Sequence, residues 1–183
     1  IADERPADAI FVFGAGGSDF RTAITDNGIS YRGTQRPIIV QGGQDGAAIM
    51  DATITGNDID MQLDGTNDAA SGIQTSLIIA TPVGGCGVGA GCGSTLCADI
   101  GGAGALGNVF THSLGGGMAG GDIRVRQRNT GPQRLPGYGG AGGDTAAVIA
   151  YLTARNTVIS APTAATNDNL FSGGGACNAP VVP

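Results

Sequence analysis

Two carboxylates stand two residues apart at Asp58 and Asp60, and they are the first place to look for chemistry. In a strand, residues i and i+2 share a face. A carboxylate pair on one face could serve as the acid and nucleophile of a polysaccharide-active enzyme, or contribute oxygens to calcium. Calcium needs more oxygens than two carboxylates supply. Asp64 and Asp68 could add to them, but no glycine occupies the sixth position counted from Asp58, so this is not an EF-hand loop. A solvated acidic face that keeps an outer strand soluble explains the pair without any activity. Arg124, Arg126 and Arg128 also alternate and share one face. They could contact an anionic glycan. The simpler expectation is pairing with acidic residues of neighbouring segments or of another subunit. His112 is the single histidine, and Ser113 follows it. Strand neighbours point to opposite faces, which is wrong for a nucleophile and its base, so His112 is expected to be an exposed strand residue. No G-x-S-x-G occurs and no lysine is present. The expectation is a protein that is not an enzyme and holds no cofactor.

The cysteines lie at Cys86, Cys92, Cys97 and Cys177. They form no C-x-x-C, and the lone histidine is remote, so zinc is not expected. An even cysteine count in a glycine-rich chain points to disulfides and an oxidising, extracellular compartment. The segment 82–94 has G-x-G patterns, but no helix pattern follows and no acidic residue sits at dinucleotide spacing. It reads as a loop pinned by Cys86 and Cys92. Among 183 residues, 35 are glycine without a Gly-X-Y period, which excludes collagen. The net charge of −6 with no basic stripe disfavours nucleic acid and anionic membranes as partners. Charged residues are only 13% and apolar ones 41%, so the chain is not broadly disordered, and no apolar run reaches membrane-spanning length.

The elements that position these residues are announced by a repeat. Residues 22–30 read T-A-I-T-D-N-G-I-S, and residues 52–60 read A-T-I-T-G-N-D-I-D. Ile24, Thr25, Asn27 and Ile29 recur thirty positions later as Ile54, Thr55, Asn57 and Ile59. An alternating strand, a small turn carrying Asn and a second alternating strand is how one coil of a parallel β-solenoid is written. One coil cannot bury its apolar face alone, so coils stack. The expectation is an all-β, short parallel β-helix of one domain, 1–183. Residues 1–9 form a polar arm and 10–130 the stacked coils. Strands are expected at 10–13, 37–41, 71–80, 95–100, 108–114 and 122–128, besides the two copies. Ile59, Met61 and Leu63 should face inward, opposite Asp58, Asp60 and Gln62; Ile73, Leu77 and Ile79 should join the core.

One amphipathic helix is predicted over 144–156. Asp144 can cap it, and Val148, Tyr151 and Leu152 make its apolar stripe. Arg155 suits the negative end of the helix dipole, and Asn156 suits a left-handed exit. A lone helix near the end of a solenoid reads as a cap over core and strand edges. A last strand is expected at 157–160, followed by a tail ending at Cys177.

The phrases Cys97-Ala98-Asp99-Ile100-Gly101-Gly102, Ile123-Arg124-Val125-Arg126-Gln127-Arg128 and Leu135-Pro136-Gly137-Tyr138 come in order before that helix. With the closing Cys177-Asn178-Ala179-Pro180, they cover about half the chain. They resemble the C-terminal part of secreted bacterial right-handed parallel β-helix repeat proteins. The resemblance implies a right-handed β-helix exported from the cell, often as the end of a longer repeat array. The chain departs from the pattern in having about two clear repeats and an extra Cys86/Cys92 loop. Four cysteines allow three connectivities. The short glycine loop and the family's cysteine-containing terminus together suggest Cys86–Cys92 and Cys97–Cys177.

An uncapped coil exposes unpaired backbone groups. The C-terminal side has a helix and a disulfide to cover it, whereas the N-terminal side offers only the arm and a short strand. The expected function is a secreted structural subunit that docks head-to-tail with copies of itself into a surface fibre. The alternatives are the terminal module of a cell-surface adhesin, with a glycan as possible ligand, and a polysaccharide-active β-helix using Asp58 and Asp60. Ice binding wants Thr-x-Thr on successive coils, and only Thr53-x-Thr55 supplies it. Ile1, without an initiator Met or signal segment, is expected of a processed product, an excised piece or the ordered part of something longer.

Overall fold

In the computed structural model the chain is built almost entirely from parallel β-sheets, with one short helix. The structure describes residues 8–15, 17–44, 48–63, 71–77, 95–113, 120–127, 133–141, 143–166, 171–172 and 175–180. Cys86, Cys92, Arg128, Asp64, Asp68, Ile79, the loop 82–94 and residues 1–7 of the expected arm lie outside them.

The chain visits three sheets in rotation. The first contains β1 (Ile10–Ala15), β4 (Ile38–Gln44), β7 (Ile73–Leu77), β10 (Ile123–Gln127) and β12 (Thr163–Thr166), in that order. The second contains β2 (Asp19–Thr25), β5 (Ile49–Thr55), β8 (Thr95–Ile100), β11 (Gln133–Arg134) and β13 (Phe171–Ser172). The third contains β3 (Gly28–Tyr31), β6 (Asp58–Met61) and β9 (Val109–Thr111), which Thr157 extends by a single parallel bridge. Every named pairing is parallel.

The sequence repeat is the register of the sheets. Ile24 pairs with Ile54, Thr25 with Thr55 and Ile29 with Ile59, so residues thirty apart in the chain stand side by side. Alternation then builds columns of like side chains through the interior. Ile10, Ile38, Ile73 and Ile123 form one; Val12, Val40, Thr75 and Val125 another; Ile24, Ile54 and Ile100 a third; Ile29, Ile59 and Phe110 a fourth. Ile59, Met61 and Leu63 are buried as expected, while Asp58 faces solvent. Each fully buried aliphatic side chain contributes roughly 1.5–3 kcal/mol of transfer free energy. Glycine fits one inner position for steric reasons: a Cβ on Gly42 would run into the Met50 thioether.

Helix α1 (Thr145–Ala154) is shorter than predicted by a residue or two at each end. Asp144 caps it as expected, its carboxylate accepting from the Ala147 N–H at 3.0 Å. Val148 and Leu152 join the core, Tyr151 is half-buried, and α1 packs against β12. Two local expectations are corrected. The last full strand of the first sheet is 163–166, not 157–160, because Thr157 meets Val109 by one bridge only. Arg155 stands at the helix C-cap, at the end expected, and its side chain is further engaged: Nη2 reaches Asp99 at 2.5 Å and the Gly101 carbonyl at 2.6 Å, and Nε donates to the Ile100 carbonyl. Asn156 is not left-handed, since Asp26 is the one non-glycine residue with positive φ among the described residues. Its side chain has a different task, described below.

Candidate functional site

The two ends of the stack differ, and the difference is the strongest functional feature. β1, β2 and β3 are each an outermost strand of their sheet, and each belongs to the first turn of the chain. Among the described residues, one end of the stack therefore presents three unpaired strand edges together. The interior is open there too. Ile10, Val12, Phe20 and Ile29 are half-buried, although their register partners Ile38, Val40, Met50 and Ile59 are buried completely or nearly so. On the outer side of β1, Phe11 and Phe13 stack with ring centroids 5.8 Å apart while 55% and 40% exposed. At the other end the strands dwindle to the four residues of β12, the two of β13 and the Thr157 bridge.

A ladder of asparagines runs through the turns between the second and third sheets. Asn27 Nδ2 donates to Asn57 Oδ1 at 2.9 Å, Asn57 Nδ2 to Asn108 Oδ1 at 2.8 Å, and Asn108 Nδ2 to Asn156 Oδ1 at 2.8 Å. Each acceptor Oδ1 also takes the backbone N–H of the preceding rung, at 3.1–3.2 Å. These backbone donors fix which side-chain atom is oxygen and give the ladder one direction. The ladder ends unevenly. Asn156 Nδ2 is engaged by the Leu152 carbonyl at 2.9 Å, whereas among the described residues nothing donates to Asn27 Oδ1. Asn27 Nδ2 donates to the Thr25 carbonyl as well as to Asn57, so the atom left over at the open end is an acceptor.

The sequence-predicted site residues fall on different faces. Asp58 and Asp60 share the outer face of the third sheet, above a shallow groove with Gly28, Ser30, Thr111 and Ser113. Asp60 is tied across the strands, accepting from Thr111 Oγ1 at 3.2 Å. Arg124 and Arg126 lie half-buried on the outer face of the first sheet. Their register neighbours on the adjacent strands are Gln74 with Thr163 and Ser76 with Ala165. His112 is not exposed: its Nε2 lies 2.7 Å from Asp122 Oδ1, and its side chain is 6% accessible. Asp122 Oδ2 accepts the N–H groups of Ile159 and Ser160, so this buried pair ties the chain entering β10 to the end of β9 and to the segment that leads to β12. The burial has a simple origin: His112 follows β9 directly and keeps its alternation, two residues beyond the buried Phe110 and on the side opposite the exposed Thr111.

Cys97 and Cys177 form a disulfide that closes a separation of 80 residues. The tail then crosses the outer face of the second sheet toward the open end. Cys177 is bonded at β8, Asn178 donates to the buried Asp51 on β5 through its N–H at 2.9 Å and Nδ2 at 3.1 Å, and Pro180 lies beside Asp19, Phe20 and Arg21 on β2. Asp51, Cys97 and Cys177 are close enough to resemble a ligand set, but the sulfurs are bonded to each other and the carboxylate is engaged by Asn178. Asp99, beside Arg155, has its pKa raised: desolvation outweighs the opposing guanidinium. Sequence reasoning missed the Asn108 and Asn156 rungs. Asn27 and Asn57 were visible in the repeat, but the spacing to the next two rungs is irregular. No helix among the described residues is long and apolar enough to cross a membrane. Comparison with protein-family models, with curated proteins and with solved structures finds no match.

Proposed function

We propose that this chain is an extracellular structural module: a right-handed parallel β-helix, capped by α1 at one end, strapped along one sheet by the tail, and receptive to a further coil at the other end. The observation that carries the reading is the shared position of β1, β2 and β3, three unpaired edges over a half-buried core. The Cys97–Cys177 bond fits an oxidising compartment, and the likeness of Leu96–Asn156 to secreted bacterial β-helix proteins supports export.

The receptive end suits a terminal module, such as the end of a cell-surface adhesin, because the two ends do not match. Strands of six, seven and four residues stand at one end, against four, two and a single bridge at the other. The second reading is a homopolymer, in which the N-terminal edge of one copy sits on the C-terminal end of the next and builds a surface fibre. The free edge of β12 and the exposed Phe11–Phe13 pair favour it. Both readings are non-enzymatic.

Size-exclusion chromatography with negative-stain microscopy separates them. A terminal module stays a small, discrete species across concentrations; a fibre subunit forms concentration-dependent polymers. Asp58→Asn with Asp60→Asn should leave fold and assembly unchanged. Glycan cleavage by the parent chain that this double variant abolishes would replace both readings with the enzymatic one.

A further inference from the structure

We infer that the partner of the open end is a parallel β-coil carrying an asparagine directly over Asn27, and that this asparagine is what sets the register of docking. The inference rests on the reading of β1, β2 and β3 as a docking end, and adds what must sit there.

The geometry of the rungs states the requirement. At Asn57, Asn108 and Asn156 the Oδ1 receives two donors from the coil before it, a backbone N–H and a side-chain Nδ2. Asn27 Oδ1 is the same atom in the same place with neither donor present among the described residues. The missing group must also return a second proton to a carbonyl two residues back, as Asn27 does to Thr25 and Asn57 does to Thr55. A short carboxamide satisfies all of this. Aspartate has no proton to give and would set a charge against Asn27 Oδ1. Glutamine is one carbon too long for the turn. Serine has only one proton.

The C-terminal end of another copy does not meet the requirement. Its last rung, Asn156, already commits both Nδ2 protons, one to the Leu152 carbonyl at 2.9 Å and one to the Ile100 carbonyl at 3.5 Å, and the helix turn that holds Leu152 packs over that end. Residues 1–7 contain no asparagine. The chemistry therefore points to a coil from further β-solenoid, continuous with this chain or presented by another protein, not to the tail end of a second copy.

The test keeps the full chain and inserts a duplicate of residues 10–37 between Ala9 and Ile10. The duplicate brings its own asparagine at the place of Asn27. Three forms are compared: the plain duplicate, and duplicates with Asn27→Ala or Asn27→Asp made in the added coil only. Hydrogen exchange is read on the amides of the original β1, β2 and β3. The expected result is that the plain duplicate slows exchange there by about tenfold over either substituted form. Equal protection by all three overturns the asparagine requirement while leaving the docking end standing. No protection by any form overturns the docking end as well. Should the insertion abolish the fold, a coil copied from residues 38–72, with Asn57 in the corresponding place, replaces it; failure of both overturns the docking end.

Discussion

The asparagine rungs carry unequal weight because they are unequally buried. Asn57 is fully buried, and its carboxamide serves Asn27, Asn108 and the carbonyls of Ile24 and Thr55. Replacing it with alanine strands those groups in a dry interior, so Asn57→Ala should destabilise the protein by about 2–4 kcal/mol. Asn27→Ala removes a half-exposed rung with water at hand and should cost about 1 kcal/mol. Urea unfolding of the two variants checks the order, and an equal cost would refute the gradient. Asp99 gives a prediction about pH. Its pKa is raised in the folded chain, so the folded state holds that proton more tightly than the unfolded state does. The carboxyl's contribution is then greatest below the ordinary value of 3.8 and is lost as pH rises through the raised value. Asp99→Asn removes this titration and can still accept from Arg155. The melting temperature of the parent relative to Asp99→Asn should fall as pH rises through the acid range; a difference independent of pH would exclude the effect.

Among the elements, the strap formed by the tail and the latch formed by α1 hold the stack from outside. The strap is bonded to β8 through the disulfide and to β5 through Asp51, so it fastens two successive coils across one sheet. Cutting it at the disulfide frees a loop of 80 residues in the unfolded chain, worth about 4 kcal/mol on the chain-entropy account. The paired change Cys97→Ser with Cys177→Ser should therefore lower the melting temperature and open residues 175–180 to limited proteolysis. A chain that keeps both its stability and its resistance would show the strap to be ornamental. α1 is secured differently. Tyr151 packs edge-on to Tyr138 at 5.6 Å and donates to the Pro136 carbonyl, while Arg155 lies over the Tyr151 ring and reaches back to β8. The helix is fixed to the last coils by specific contacts at both ends, beyond the burial of Val148 and Leu152.

At the scale of the whole molecule, nearest-neighbour stacking makes stability directional. Among the described residues each strand of the first turn has a neighbour on one side only, whereas β4, β5 and β6 have neighbours on both. In such an array opening begins where neighbours are fewest. Amides of β1 to β3 should exchange faster than those of β4 to β6 in the isolated chain, and a uniform pattern would contradict an open end. The same asymmetry governs assembly. An edge that is open across three sheets invites one more coil, while the tapering far end offers little for that edge to match.

The sequence by itself determined that the chain is built from parallel strands, which side of most strands faces inward and where the helix starts. It could do so because strand alternation, a thirty-residue repeat and helix capping are local or periodic, and so survive in one dimension. Only the tertiary structure decided what the asparagines do. Asn108 and Asn156 stand 51 and 48 residues from the rungs before them, and no fixed spacing marks them. It also decided that His112 is buried against Asp122, that Arg155 reaches Asp99 from the end of its helix, and that the tail runs back across the second sheet. Each of these depends on which segments the stack brings side by side, and the irregular lengths of the connections hide that from the sequence. The open acceptor on Asn27 belongs to the same class: it is a property of where the stack stops, not of any residue alone.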